Sequence, residues 1–199
     1  MIIGLINCGS RRTKDIYAIF EELESVVYEL SLKQAGEKKH WDYDGIIISG
    51  GPHLFTDSSY AHELIEEFSF IDDIEIPTLG ICLGHQAIGL RHGSKVFRGP
   101  KRRGTESIQL VARHPLAAGM EAETAFYENH CEGITLPDTF QLIGSSLYYP
   151  VEMMVSLSKP LFGVQFHPEG SGEPGKILFR NFIRIISRHR LSRIPYKDD

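Results

Sequence analysis

The sequence predicts an α/β protein: a mostly parallel central sheet with helices on both faces, extended in its second half by antiparallel strands. Two observations carry this expectation. In the first half, short apolar runs alternate with segments of helical periodicity, the pattern of a parallel sheet covered by its crossover helices. In the second half, six short strand candidates follow one another with only turn residues between them.

The elements can be justified in order. "IIGLIN" (2–7) is a short apolar run and reads as a buried strand. "TKDIYAIFEELE" (13–24) places Ile16, Ile19, Phe20 and Leu23 on one helical face. "SVVYEL" (25–30) is a second strand, and "DGIIISGGP" (44–52) a third that stops at a Gly-Gly-Pro turn. "SSYAHELIEEF" (58–68) opens on serines suited to an N-cap and then repeats apolar positions as a helix does. "IPTLGIC" (76–82) is a fourth strand, followed by a helix over "LGHQAIGLRHG" (83–93) with Gly93 placed to end it. Then come "SKVFRG", "ESIQLVA", "AFYENH", "FQLIGSS", "VEMMVSL" and "LFGVQF", read as antiparallel additions and hairpins. The last two form a hairpin with its turn at Ser158 to Pro160. A closing helix over 174–190 buries Ile177, Leu178, Phe182, Ile183 and Ile186, and the polar tail beyond it is expected to be loosely held. No repeat, linker or low-complexity segment divides the chain, so residues 1–199 are expected to form one domain.

Composition narrows the function classes. The chain has 199 residues, 42% hydrophobic and 24% charged, with a formal net charge of −5; this is the profile of a globular protein with a real core. The acidic balance argues against a nucleic-acid partner. No apolar run approaches the ~18–20 residues that span a bilayer, so no membrane partner is expected. "MIIGLINCGS" lacks the form of a signal peptide, which predicts a cytoplasmic protein. Cys8, Cys82 and Cys131 are too widely spaced for a disulfide framework or a close-spaced zinc site, so no metal is expected. No G-x-x-x-x-G-K-[ST] or G-x-G-x-x-G motif occurs in phosphate-binding context, so no nucleotide cofactor is expected either.

The candidate chemistry centres on Gly80-Ile81-Cys82-Leu83-Gly84. This fits a nucleophile elbow with cysteine as the nucleophile, and the required strand before and helix after are both predicted. A sharp strand-to-helix turn lifts the side chain clear of the sheet edge, and the helix N-terminus favours a thiolate. The N–H of Leu83 would point to where an oxyanion forms. The competing reading is a buried structural cysteine in a glycine-rich turn; the flanking strand and helix favour the nucleophile. A thiol nucleophile needs a base. His167 follows the strand "LFGVQF", and Glu169, two residues on, leaves an extended chain on the same face. A carboxylate there would fix the imidazole tautomer and stabilise the imidazolium. Taken alone, the His-Pro-Glu tripeptide favours a surface turn at a strand end. Gly50, Gly51 and Pro52 end the third strand at the same sheet edge, where open α/β sheets bind ligands. His85 reads as wall or structure, and His130 as bordering the site or a partner surface, with a solvent-exposed loop histidine as the alternative.

"GICLGHQ" around Cys82, "GVQFHPE" ending at Glu169 and "IISGGP" together resemble the class I (triad) glutamine amidotransferases, in order and spacing, across nearly the whole chain. The resemblance implies glutamine hydrolysis through a γ-glutamyl thioester on Cys82, with His167 as base and Glu169 as its orienting acid. It places oxyanion donors at the N–H groups of Gly51 and Leu83, and makes Gln86 a residue that helps hold glutamine. Within the family, "ENHCEGITLPDTF" (128–140) and "GKILFRNFI" (175–183) are most similar to the glutaminases of GMP synthases. Ammonia would then pass to a separate synthase, such as an ATP-pyrophosphatase subunit converting XMP to GMP, since no synthetase segment follows in this sequence. A stand-alone thiol hydrolase of another γ-glutamyl substrate, or a glutaminase serving a different synthase, would carry the same three residues.

Overall fold

A computed structural model describes residues 1–57 and 59–193. Along the chain run β1 (Ile2–Asn7), α1 (Thr13–Glu22), β2 (Val26–Ser31), α2 (Leu32–Gly36), β3 (Gly45–Ile48), α3 (Ala61–Glu67), β4 (Thr78–Ile81), α4 (Leu83–Arg91), β5 (Val96–Leu110), β6 (Glu123–Ile134), β7 (Phe140–Ser145), β8 (Met153–Ser156), β9 (Leu161–Val164) and α5 (Glu173–Ser192). Among the described residues the strands form one sheet in the order β2-β1-β3-β4-β9-β8-β7-β5-β6. The first five pair in parallel and the rest antiparallel. The α/β class and the mixed sheet expected from the sequence are both present.

Alternation along the strands builds two cores, one on each face of the sheet. Ile3 and Leu5 of β1, Ile47 of β3, and Leu79 and Ile81 of β4 point to one side, where α1 and α5 cover them with Ile16, Phe20, Phe179 and Phe182. Ile6, Ile46 and Ile48 point to the other, against Leu64 of α3 and Leu83, Ala87 and Ile88 of α4.

Four local expectations are corrected. "LFGVQF" is not simply an antiparallel addition: β9 pairs antiparallel with β8 but parallel with β4, so it completes the parallel set. The β8–β9 hairpin does turn where expected, with the Ser156 hydroxyl accepting from the N–H groups of Ser158 and Lys159. "SKVFRG" and "ESIQLVA" belong to one strand, β5, whose pairing with β6 shifts register between Arg98 and Arg102; Pro100 sits inside the irregularity and has no N–H to offer the ladder. The strand read in "AFYENH" is longer than expected, because β6 runs from Glu123 to Ile134. Helix α3 starts at Ala61 without a side-chain cap, and the Ser59 hydroxyl donates to Asp57 instead. Ser58, the other serine of that cap expectation, and the tail at 194–199 lie outside the described residues. Helix α2 is not among the elements expected from the sequence. Ser31 and Gln34 form a capping box at its start, a signal legible in "SLKQ".

Packing is close where β3, β4 and α4 meet. A Cβ on Gly80 would come 2.5 Å from the Gly84 carbonyl oxygen, and one on Gly84 would come 2.9 Å from Ile48 Cβ and closer still to the Ile48 carbonyl oxygen. Backbone cannot yield as a flexible side chain can. Gly84→Ala is therefore expected to cost about 1–3 kcal/mol, seen as a lower urea midpoint. A midpoint equal to wild type would show that α4 is free to shift away from β3.

Candidate active site

That close approach delivers the cysteine. Between β4 and α4 the chain turns within one residue, and Cys82 takes φ 50°, ψ −102°. Only Glu24 shares a positive φ among the described non-glycine residues. Such a conformation costs about 1–3 kcal/mol and persists where its surroundings enforce it. Here the Cys82 N–H donates to the Val164 carbonyl at 2.9 Å, and its carbonyl accepts from the Gln86 N–H at 3.0 Å. One bond ties the elbow to β9 and the other starts the helix.

His167 reaches the elbow from the neighbouring strand. Its N–H donates to the Tyr127 carbonyl of β6 at 2.8 Å, and its carbonyl accepts from Gly170 N–H and from the Ser171 hydroxyl. A 3₁₀ turn over Pro168–Gly170 brings Glu169 back beneath the ring, with Oε1 2.7 Å from Nδ1. All three residues are buried. Gly50 lies against both partners: a Cβ there would come 2.9 Å from His167 Cε1 and 3.4 Å from Cys82 Cβ. Burial alone would strip the imidazole of its proton. The Cys82 sulfur and the Glu169 carboxylate outweigh it and raise His167 to about 11.

In front of Cys82 is a cavity of about 180 Å³, lined in part by Gly51, Pro52, Leu83, Gln86 and His130. The structure thus gathers the predicted site residues: Gly50 packs against Cys82 and His167, and Glu169 against His167, beside the residues that line the cavity. A larger cavity of about 740 Å³ between Leu110 and Ala122 includes none of them. The Gln86 amide nitrogen donates to the Glu132 carbonyl and to Gln165 Oε1, both at 3.1 Å; its carbonyl oxygen is the group left for a ligand. His130 is buried in β6, not a solvent-exposed loop histidine. His85 is wholly buried against Gly163 and is not among the cavity's lining residues, so of the two readings it is structural; burial pushes it down to about 3.

Sequence reasoning missed Glu132. Its carboxylate accepts from the N–H groups of Phe55 at 2.9 Å and Thr56 at 2.7 Å, and from the Thr56 hydroxyl. It clamps the loop after β3 onto β6 and so closes one side of the cavity. Its partners lie 76 and 77 residues away in sequence, and no local pattern announces such a contact.

The Glutamine amidotransferase class-I family model matches residues 5–185. The chain belongs to this family. It is a class I glutamine amidotransferase of the glutamine-hydrolysing kind. Among curated relatives, a subunit of the glutamine-hydrolyzing GMP synthase of Thermococcus kodakarensis is 36% identical over 144 residues, 71% of this chain and 74% of the relative. The corresponding subunit from Methanosarcina barkeri is 33% identical over 149 residues, 73% of this chain and 75% of the relative. The crystal structure of a GMP synthase subunit-type protein from Thermoplasma acidophilum superposes with a TM-score of 0.87 at 27% identity, covering 97% of both chains. A glutamine amidotransferase of Thermotoga maritima, 20% identical, shares the fold with a TM-score of 0.73 over 96% of this chain and 86% of that one. Among the described residues no helix is long and apolar enough to cross a membrane.

The pairing of His167 has a sign that can be checked. Its folded pKa lies above the ordinary 6.5, so its stabilising contribution is complete below about pH 6.5 and is lost as pH rises toward 11. The His167 ring resonances should not titrate between pH 6 and 9 by NMR, and in Cys82→Ala the pKa should fall. A wild-type midpoint near 6.5 would show that the imidazole is not charge-paired.

Proposed function

We propose that this amidotransferase hydrolyses glutamine through a γ-glutamyl thioester on Cys82 and hands the ammonia to a separate synthase, best matched by the ATP-pyrophosphatase subunit of a GMP synthase. The observation that carries the reading is the strained Cys82 elbow beside a His167 whose Nδ1 lies 2.7 Å from Glu169 Oε1. In this mechanism the Cys82 thiolate attacks the substrate's amide carbon. The N–H groups of Gly51 and Leu83 receive the oxyanion. His167 gives its proton to the departing ammonia as the C–N bond breaks. The neutral imidazole then takes a proton from water as that water attacks the thioester, and glutamate leaves as the C–S bond breaks. Thiolate and imidazolium are thereby restored, with glutamate's acid proton going to solvent. Gln86, through its carbonyl oxygen, and His130 border the bound glutamine, and a cavity of about 180 Å³ suits a single amino acid better than a peptide. The names of the GMP synthase relatives support the choice of synthase.

Cys82→Ala should lower glutamate release by on the order of 10⁴-fold or more, and a glutamine-analogue electrophile should label Cys82 while sparing Cys8 and Cys131. Labelling elsewhere with Cys82 untouched would remove the nucleophile. Glu169→Gln should cost less than His167→Ala, because it keeps the geometry and loses only the charge.

Partner coupling is a separate expectation. Adding a GMP-synthetase subunit with ATP and XMP should raise glutamine turnover and yield GMP. Fast hydrolysis that no synthetase changes would favour a stand-alone γ-glutamyl hydrolase.

A further inference from the structure

At the cavity wall, Glu128 and the cavity-lining His130 of β6 meet Glu152, which immediately precedes β8. Glu128 and Glu152 are 1% exposed and His130 8%. One ligand-type atom from each lies within 4.8 Å of the others. Four of their polar atoms are buried without a hydrogen-bond partner: both Glu128 oxygens, Glu152 Oε2 and His130 Nε2. Buried polar atoms are rarely left so, and here the orphans belong to side chains facing one another.

The tautomer of His130 sharpens the point. Its Nδ1 lies 2.9 Å from the Glu132 carbonyl oxygen, which can only accept, so Nδ1 carries the proton. In the neutral ring Nε2 then presents a lone pair, and it does so 2.8 Å from Glu128 Oε2 without hydrogen-bond alignment. A lone pair set against carboxylate oxygens is repulsive unless a proton or a metal cation lies between them. An N–H to backbone carbonyl on the far side of a histidine is also how metal-ligating imidazoles are oriented. Glu152 is held in the same manner: the Ser146 hydroxyl donates to Oε1 at 2.7 Å and leaves Oε2 free.

We propose that Glu128, His130 and Glu152 bind one divalent transition-metal ion of the zinc class, and that this ion pins β6 to the start of β8. One imidazole nitrogen with two carboxylates suits Zn²⁺ or Co²⁺. Ca²⁺ and Mg²⁺ are disfavoured, because they want a shell of about six oxygens. The ion's charge offsets the cost of burying two adjacent carboxylates. Its role is structural: β6 also carries Cys131 and Glu132, which line the cavity before Cys82, so the ion sets the position of that wall. This role is independent of which substrate the cavity takes.

The test uses Co²⁺ as probe on a Cys82→Ala, Cys131→Ser background, in which neither cavity thiol can take the metal. After chelation and reloading, one Co²⁺ per chain should be retained, with a d–d spectrum lacking a thiolate charge-transfer band and with a raised Tm. Disturbing only the groups that orient metal ligands costs about 10–100-fold in affinity, so Glu128→Gln or Glu152→Gln should weaken binding by on the order of 10²-fold or more. Should either variant fail to fold, X-ray absorption on the Zn²⁺-loaded background protein reads the ligands directly. One imidazole and two carboxylates are expected; sulfur or several imidazoles would overturn the proposal. Folded protein that retains neither Co²⁺ nor Zn²⁺ would also overturn it and assign the cluster to shared protons, as would binding that survives the Glu128→Gln, Glu152→Gln pair.

Discussion

The site depends on one steric constraint: helix α4 lies so close to β3 and β4 that only hydrogen fits as the side chain of residues 80 and 84. Because the helix cannot stand off from the sheet, the chain has a single residue in which to turn from strand to helix. That residue is Cys82, and its left-handed backbone is the consequence. The sulfur is therefore held by packing rather than by contacts of its own side chain. Strain of about 1–3 kcal/mol is stored where two ladders of hydrogen bonds, to β9 and into α4, keep it from relaxing.

The same economy governs the histidine. β9 is the strand at which the sheet changes character, parallel to β4 and antiparallel to β8. The two strands that end in Cys82 and lead to His167 are thus direct neighbours. An antiparallel isolated bridge from Tyr127 to His167 then draws β6 across the front of the site. Phe126 stacks on Phe166 at a centroid separation of 3.9 Å just beside it. The hairpin of β5 and β6 accordingly brings an edge of the sheet back over its centre and supplies the cavity's outer wall.

Electrostatics follows burial. In the Cys82–His167–Glu169 row, burial opposes a charge on the imidazole, but Cys82 beside it and Glu169, whose Oε1 lies 2.7 Å from Nδ1, raise its pKa nonetheless. Burial pushes Glu128 up to about 7, and burial together with the neighbouring Glu128 pushes Glu152 up to about 8; a cation held between the two carboxylates would reverse that. The two clusters, close together in the fold, obey one rule: a buried charge needs an opposite partner, a neighbouring side chain in one case and the proposed cation in the other.

The elements of the first half were legible in the sequence because short apolar runs mark the strands and helical periodicity marks the helices that cover them. The elbow was legible too, since Gly80, Cys82 and Gly84 are consecutive in the constraint they obey, and so was the His167–Glu169 pair, two residues apart on one turn. Helix α2 was equally local, marked by its capping box, but too short to show a period. What lay beyond the sequence was everything joined across long separations. Pairing direction for β9 depends on which strand it meets, and its alternation is the same either way. The clamp from Glu132 to Phe55 and Thr56, and the convergence of Glu128 and His130 on Glu152, arise only when β6 folds back over the sheet. Local composition encodes the shape of each element, but the partners of a buried polar atom are chosen by the packing of the whole.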